Sequence, residues 1–336
     1  MMKHVLRLLT VALASGMLLI TGCVNDDEGF SLETAKAKDY SAEVALEWNR
    51  MYLLADRYAQ GYRPGPAPRA LGYMGLSAYE AVVSAMPDYN SIEQLYKPLG
   101  LDIPDVANGG AVYHWPTVVN ASYGYLMKKF FPHVPADVRF RIHSLEANFD
   151  NQALGEIPRD VFERSKTYGQ SVAEAVFNWS ANDHYGHEAF RNARPSDYIP
   201  PDGPGKWKPT YPDQSGALFP YWGKVRTFAI NEADKLALPP LEYSEEIGSP
   251  LHQQALEVYR KNSPALSYED QWIAEFWSDD VENLNFSPPG RFISIANQVL
   301  DLENADLELA LYTYLKVGMA LNDAGVACWY SKYHYN

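Results

Sequence analysis

The sequence predicts an all-α protein. Apolar residues recur at helical spacing in segment after segment, helix start and stop signals punctuate them, and nothing alternates with period two over a useful length. From about Asp39 to Gln60, Val44, Trp48, Met51, Ala55 and Tyr58 lie on one helix face. "YRPGPAPR" breaks that helix. A second runs from about Arg69 to Met86, rich in Gly, Ala and Ser, until Pro87 stops it. Its small residues suit close packing against neighbours. After a loop, helices follow near 112–131 and 135–150, the second opened by Pro135. Another covers 159–181, with Val161, Ser165, Tyr168, Val172, Ala175 and Trp179 in register.

Residues 185–247 break the pattern. They hold nine prolines and many aromatics with no lasting period. A flexible linker lacks aromatics, so the segment is expected to be a long ordered loop wrapped on the helical body. Helices then resume. Ser249-Pro250 supplies an N-cap followed by proline at the first helical position. Ser267-Tyr268-Glu269-Asp270 resembles a capping box with Asp in place of Glu or Gln. Pro288-Pro289-Gly290 precedes a helix over about 291–302, and Asn304 is placed to cap the last one.

That last helix carries Leu307, Leu311, Tyr314, Gly318, Leu321, Gly325 and Cys328 on one stripe, and the next two stripe positions are Lys332 and Tyr335. From Val317 to Trp329 only Asn322 and Asp323 are polar, which predicts a helix in the middle of the body. Gly318 and Gly325 would let other helices approach, and a buried Asp323 needs a partner. Lys332 has two readings: a solvated lysine near a helix C-terminus, or an ammonium turned into a cavity to hold an anion.

Bulk properties narrow the function. The 336 residues are 47% hydrophobic and include 24 Tyr and 8 Trp, enough for one large core or two smaller ones. The formal net charge is −14; the first 22 residues carry Lys3 and Arg7 and no acid, leaving the rest two charges more acidic, at −16. Such a surface argues against nucleic acid as a partner and against charge-driven binding to anionic lipid.

The leader has a basic start, an apolar run from Leu8 to Ile20 too short to span a bilayer comfortably, and then Ile20-Thr21-Gly22-Cys23. This resembles a bacterial lipobox, in which the cysteine thiol is lipidated and becomes the new N-terminus. The expected organisation is a signal peptide over 1–22, a polar tether over 23–38 and a helical domain over 39–336. The only membrane contact is then the lipid anchor at Cys23, on an exported protein at the outer membrane or periplasmic face. Cys328 is left alone, so no disulfide framework exists.

Other candidate chemistry is weaker. Asp183, His184, His187 and Glu188 in "NDHYGHE" form the densest set of possible metal ligands, but a solvated helix end accounts for them better. His114, beside Trp115, and His252 stand alone. Asp279 and Asp280 are neighbours that point to different sides of a helix, and an acidic helix end is the simpler account. There is no nucleophile elbow, P-loop, C-x-x-C pair or H-E-x-x-H.

An ordered series of segments decides among these. "APRALGYMGLSAYEAVVSAM", "YHWPTVVNASY", "GPGKWKPTYP", "ALFPYWGKVRTFAI", "FWSDD", "SPPGRFISIANQVL" and "VGMALNDAGVACWYSKYHYN" together resemble the N-terminal portion of bacterial vanadium-dependent haloperoxidases, in the type-2 phosphatidic acid phosphatase superfamily. The similarity spans about 40–336. It implies a helical bundle whose central helices cradle vanadate, for halide oxidation by hydrogen peroxide, or phosphate, for acid phosphatase chemistry on phosphate esters. Both anions pass through trigonal-bipyramidal geometry that cationic side chains stabilise. Lys332 matches the family's first oxyanion ligand. The arginine that follows it there, the Ser-Gly-His segment with its acid–base histidine, and the later arginine and metal-linked histidine have no counterpart in these residues. The resemblance therefore implies a piece of a longer enzyme, with no catalytic residue and no metal ligand of its own and no tightly bound cofactor. A binding lipoprotein, using the aromatics of 185–247 to stack on glycan faces, is the alternative. Oligomeric state is not read from the sequence.

Lipidation is directly testable. Cys23→Ala should release the protein from the membrane fraction, and the wild type should take up labelled fatty acid. A mutant that still partitions with membranes, beside an unlabelled wild type, would remove the lipobox.

Overall fold

Proline and N-cap chemistry set the helix starts in a computed structural model that describes residues 31–32, 35–106, 110–212, 215–262, 267–278 and 280–336. The leader, Cys23, most of the tether and Asp279 lie outside the described residues. Helix α1 is Glu43–Tyr58, α2 Pro66–Glu80, α3 the single turn Glu93–Tyr96, α4 Trp115–Phe130, α5 Ala136–Glu156, and α6 Arg159–Ala181. After the long loop come α7 (Pro250–Lys261), α8 (Tyr268–Trp277), α9 (Pro288–Leu302) and α10 (Leu307–Tyr335). No strand forms among the described residues, so the chain is all-α.

Several boundaries differ from expectation: α2 ends at Glu80, before Met86, α5 runs on to Glu156, past 150, and three helix starts differ for reasons of capping and proline chemistry. Helix α2 starts at Pro66 and α9 at Pro288, because proline at the first helical positions sacrifices only an N–H that has no partner there. Ser287 caps α9 by accepting from the Gly290 N–H. The last helix is capped by Asp306, which accepts from the Leu309 N–H at 2.8 Å, while Asn304 takes a left-handed φ of 49° just past α9. Ser249 and Ser267 cap α7 and α8 as read from sequence.

The body Lys36–Asn336 is one unit. Its enclosed centre is α2, every residue of which is buried, from Pro66 to Glu80. Helices α4, α6 and α10 pack on it, α5 backs α4, and α1 lies between α4 and α9. The expectation that α10 is the central helix is corrected here. It buries one face, and Lys316, Ala320 and Ala324 on the other are exposed.

Close approach makes the α2–α10 pairing. A Cβ placed on Gly318 would lie 2.6 Å from the Leu71 carbonyl oxygen, and one on Gly75 would lie 2.7 Å from that of Tyr314. The sequence pointed to Gly325 as a second such contact. Its nearest atom would be Pro68 Cγ at 3.8 Å, an ordinary separation. The neighbour of α10 changes beyond that point. A Cβ on Gly223, in the 3-10 turn Trp222–Lys224, would meet Tyr330 Cα at 2.7 Å.

The described residues of 182–249 form an ordered loop with buried anchors at Phe219, Trp222, Val225 and Phe228. Helices α7 and α8 lie outside the core, with no buried residue. Arg291 holds the second of them, over the rings of Phe276 and Trp277. No described helix is long and apolar enough to cross a membrane.

Gly318→Ala should destabilise the body. Overpacking against backbone costs about 1–3 kcal/mol, and alanine's better helix propensity returns about 1 kcal/mol. Thermal unfolding should show a lower Tm; a rise would mean that α2 and α10 can separate without loss.

Candidate functional site

The C-terminal turns of α10 form one wall of a solvent-open cleft of ≈ 950 Å³. Its other walls come from the turn before α2 (Gly61, Arg63, Pro64), from the long loop, and from Asp280 and Glu282 ahead of α9. Four cations line it, Arg63, Arg194, Lys206 and Lys332, against those two carboxylates. On a chain of net charge −14 this is a local positive surface.

Lys332 is exposed, not in the buried register that the stripe implied. A strict seven-residue repeat drifts by about 20° per heptad on a straight helix. Meanwhile the buried face turns toward Asn322, Asp323 and Val326 as the loop replaces α2 beneath the helix. The lysine reaches the cleft from the side, with Nζ 4.5 Å from the centroid of the Trp329 ring. Cys328 is exposed and free.

The cleft's four cations are not equivalent. Arg63 is buried, paired with Asp280 at 3.1 Å and bonded to the Asn285 carbonyl. Lys206 donates to the Tyr335 carbonyl at 3.0 Å. Lys332 and Arg194 have no hydrogen bond or ion pair among the described residues and are free to meet a ligand.

The loop fixes this end of α10 with side chains from both partners. Trp329 Nε1 and the Tyr333 hydroxyl both donate to the Leu218 carbonyl, at 3.1 and 2.7 Å. Ser331 Oγ donates to the Lys235 carbonyl and accepts from the Ala237 N–H, each at 2.9 Å. The Tyr335 hydroxyl donates to the Ala237 carbonyl at 2.7 Å.

Deeper in, Asp323 finds the partner it needs. Its carboxylate accepts the N–H groups of Phe228, Ala229 and Ile230 at 2.8, 2.7 and 3.1 Å, and Asn322 Nδ2 at 3.0 Å. Three backbone donors offset the cost of burying the charge without a cation.

The other candidates are placed as follows. Asp183 is buried and bound to Arg69 at 3.2 Å and to the Arg226 N–H at 3.3 Å. Arg226 in turn donates to the Tyr73 hydroxyl and the Trp179 carbonyl and lies 4.1 Å over the Trp179 ring. His184 is exposed, His187 sits edge-on to Phe177, and Glu188 pairs with Arg191 at 3.3 Å. These four do not converge, and no group of three His, Cys, Asp or Glu suited to a metal occurs among the described residues. His114 shares a hydrogen bond with Thr117 at 2.8 Å, and burial pushes its imidazole pKa down to about 4. His252 Nδ1 accepts from the Gly248 N–H at the start of α7. Asp280 is the partner of Arg63.

Sequence reading found Lys332 but not Arg63, Arg194, Lys206 or Trp207. The only signal was their place in Pro- and Gly-rich segments ("YRPGPAPR", "GPGKW") beside helix ends.

The crystal structure of the first bacterial vanadium-dependent iodoperoxidase is similar to this chain, with a TM-score of 0.74 and 25% sequence identity over 88% of this chain and 70% of that one. No protein-family model matches the sequence, and no curated protein does. The fold is haloperoxidase-like. Toward vanadate the cleft offers cationic side chains, Lys332 foremost, but its lining has no histidine to bond the metal or carry a proton. These residues supply charge to an oxyanion and no more.

Asp323→Asn tests the buried anchor. An amide turns an NH2 group toward at least one of the three donors, and charged hydrogen bonds of this kind contribute about 1.5–3 kcal/mol each. The urea midpoint should fall, and amide exchange at Phe228–Ile230 should accelerate. Unchanged exchange there would mean that the loop is held by its aromatic anchors alone.

Proposed function

We propose that this chain is the N-terminal helical body of an exported, vanadium haloperoxidase-like lipoprotein, and that its cleft is the oxyanion side of the active site. Vanadate is the resident group for halide oxidation by hydrogen peroxide; phosphate takes the same place if the reaction is phosphate ester hydrolysis. Lys332 is the first oxyanion ligand. The acid–base histidine that the resemblance implies is not among the residues that line this cleft, so turnover by the 336 residues alone is not expected.

The observation that carries this reading is Lys332: a lysine without hydrogen bond or ion pair among the described residues, on the wall of a cleft lined by three more cations, at the position that resembles the family's first ligand. The likeness to the iodoperoxidase supports the fold in which such a site occurs. A glycan-binding role draws on one observation of its own, the accessible ring cluster of Tyr185, Tyr198 and Tyr221.

Calorimetric titration with orthovanadate and with phosphate is the test. A lysine bonded to an oxyanion contributes about 1.5–3 kcal/mol, so Lys332→Ala should weaken binding by about ten- to a hundredfold. Helicity by circular dichroism should be unchanged, since alanine favours the helix. Equal affinity in the mutant would return Lys332 to a solvated helix end. Bromide or iodide oxidation by the 336-residue chain with vanadate and peroxide would overturn the expectation of no turnover. Oligosaccharide binding with no response to either anion would favour the glycan role.

A further inference from the structure

The size and composition of the cleft say more than its charge. This inference rests on the oxyanion reading above. A four-oxygen anion fills on the order of 100 Å³, at about 30 Å³ per water-sized group. The cleft measures ≈ 950 Å³, within the range of about 300–1,000 Å³ that holds organic ligands.

Aromatic rings line the surplus. Trp207 stands on the loop side, and Trp329 and Tyr333 on α10. Trp207 is anchored at its backbone, whose N–H donates to Asn336 Oδ1 at 2.9 Å. Trp329 Nε1 and the Tyr333 hydroxyl share the Leu218 carbonyl, with Lys332 over the Trp329 ring. Tryptophan and tyrosine have only two side-chain torsions, so they lose little freedom when a flat ligand covers them. Trp207 is 43% exposed.

Charge sets the ligand's orientation. Lys332 sits directly over Trp329, so cation and aromatic wall are adjacent. Lys206 and Arg63 are occupied by the Tyr335 carbonyl and by Asp280. Glu282 is a further carboxylate in the lining and disfavours a second anionic group elsewhere on the ligand. The complement of this surface is a molecule with one oxyanion group and a neutral planar body.

We propose that the cleft binds aryl oxyanions, with the anionic group on Lys332 and Arg194 and the ring against Trp207, and that Trp207 determines this preference. An inorganic anion uses only the first half of the site.

Phenylphosphonate and methylphosphonate test this as a matched pair, since both carry the same head group and neither is hydrolysed. Titrated into the 336-residue protein, the phenyl compound should bind about tenfold more tightly or better. Trp207→Ala should remove that preference and leave methylphosphonate affinity unchanged, and Trp207→Tyr should restore most of it. Equal binding of the two compounds overturns the aryl site while the oxyanion reading stands. A preference that survives Trp207→Ala overturns the assignment to Trp207. Failure of both phosphonates, of phosphate and of vanadate to bind removes the oxyanion reading and the aryl site with it.

Discussion

Everything at the cleft depends on how closely α10 can lie on α2. Both helices are long enough to pack many side chains, but the distance between them is set where side chains are missing. Gly75 faces the backbone of Tyr314, and Gly318 that of Leu71. Two backbones in contact leave no slack for a rotamer to take up, so the axis of α10 is fixed at its middle. Its last turns then project past the start of α2. The helix is 29 residues, or about 43 Å at 1.5 Å per residue, and a small change of angle at Gly318 would move Lys332 by several ångströms.

A fixed axis still leaves the overhanging end to be held, and the long loop does this. Asp323 gathers three consecutive N–H groups of the loop at the point where α2 stops supporting the helix. From there Gly223 lets the turn Trp222–Lys224 lie directly on Tyr330, and four side chains of α10, from Trp329 to Tyr335, bond to loop backbone. The loop is therefore rigid for a physical reason. Its backbone polar groups, which a helix would satisfy internally, are partly satisfied by α10, by Lys235, which donates to the Gly223 carbonyl, and by Asp183, which accepts the Arg226 N–H.

Local signals were legible in the sequence and non-local ones were not. Ser249, Ser267 and the prolines at 250 and 288 mark helix starts because capping involves residues only a few positions apart. The ordered state of the described residues of 185–247 could be read because Trp and Tyr rings gain by leaving water, and prolines limit the backbone entropy lost when they do. The register of α10 failed past Gly318, since the buried face of a helix is set by its neighbours, and over the next turns the neighbour changes from α2 to the loop, with the turn at Gly223 lying on Tyr330. Asp323 could be seen to need partners, but three N–H groups ninety-odd residues earlier carry no sequence mark. The same holds for the cleft. Arg63, Arg194, Lys206 and Asp280 are far apart in the chain, and only folding brings them to the wall that Lys332 shares.

The position of the cleft imposes a requirement of its own. It lies beside the last described turns of α10, and its charge comes from side chains, whereas many anion sites use a helix N-terminus, where backbone N–H groups point at the ligand. The whole chain is acidic, so binding must come from side-chain cations placed to overcome that. Lys206 is engaged by the Tyr335 carbonyl. Arg63 is engaged in neutralising Asp280. What remains available to a ligand is Lys332 with Arg194, so the charge of this end of the cleft is carried by few groups. A site built this way is sensitive to ionic strength and to each cation in turn, more than one built from backbone donors, because side-chain charge at an exposed rim is screened by salt and a helix N-terminus keeps its N–H groups whatever the side chains are.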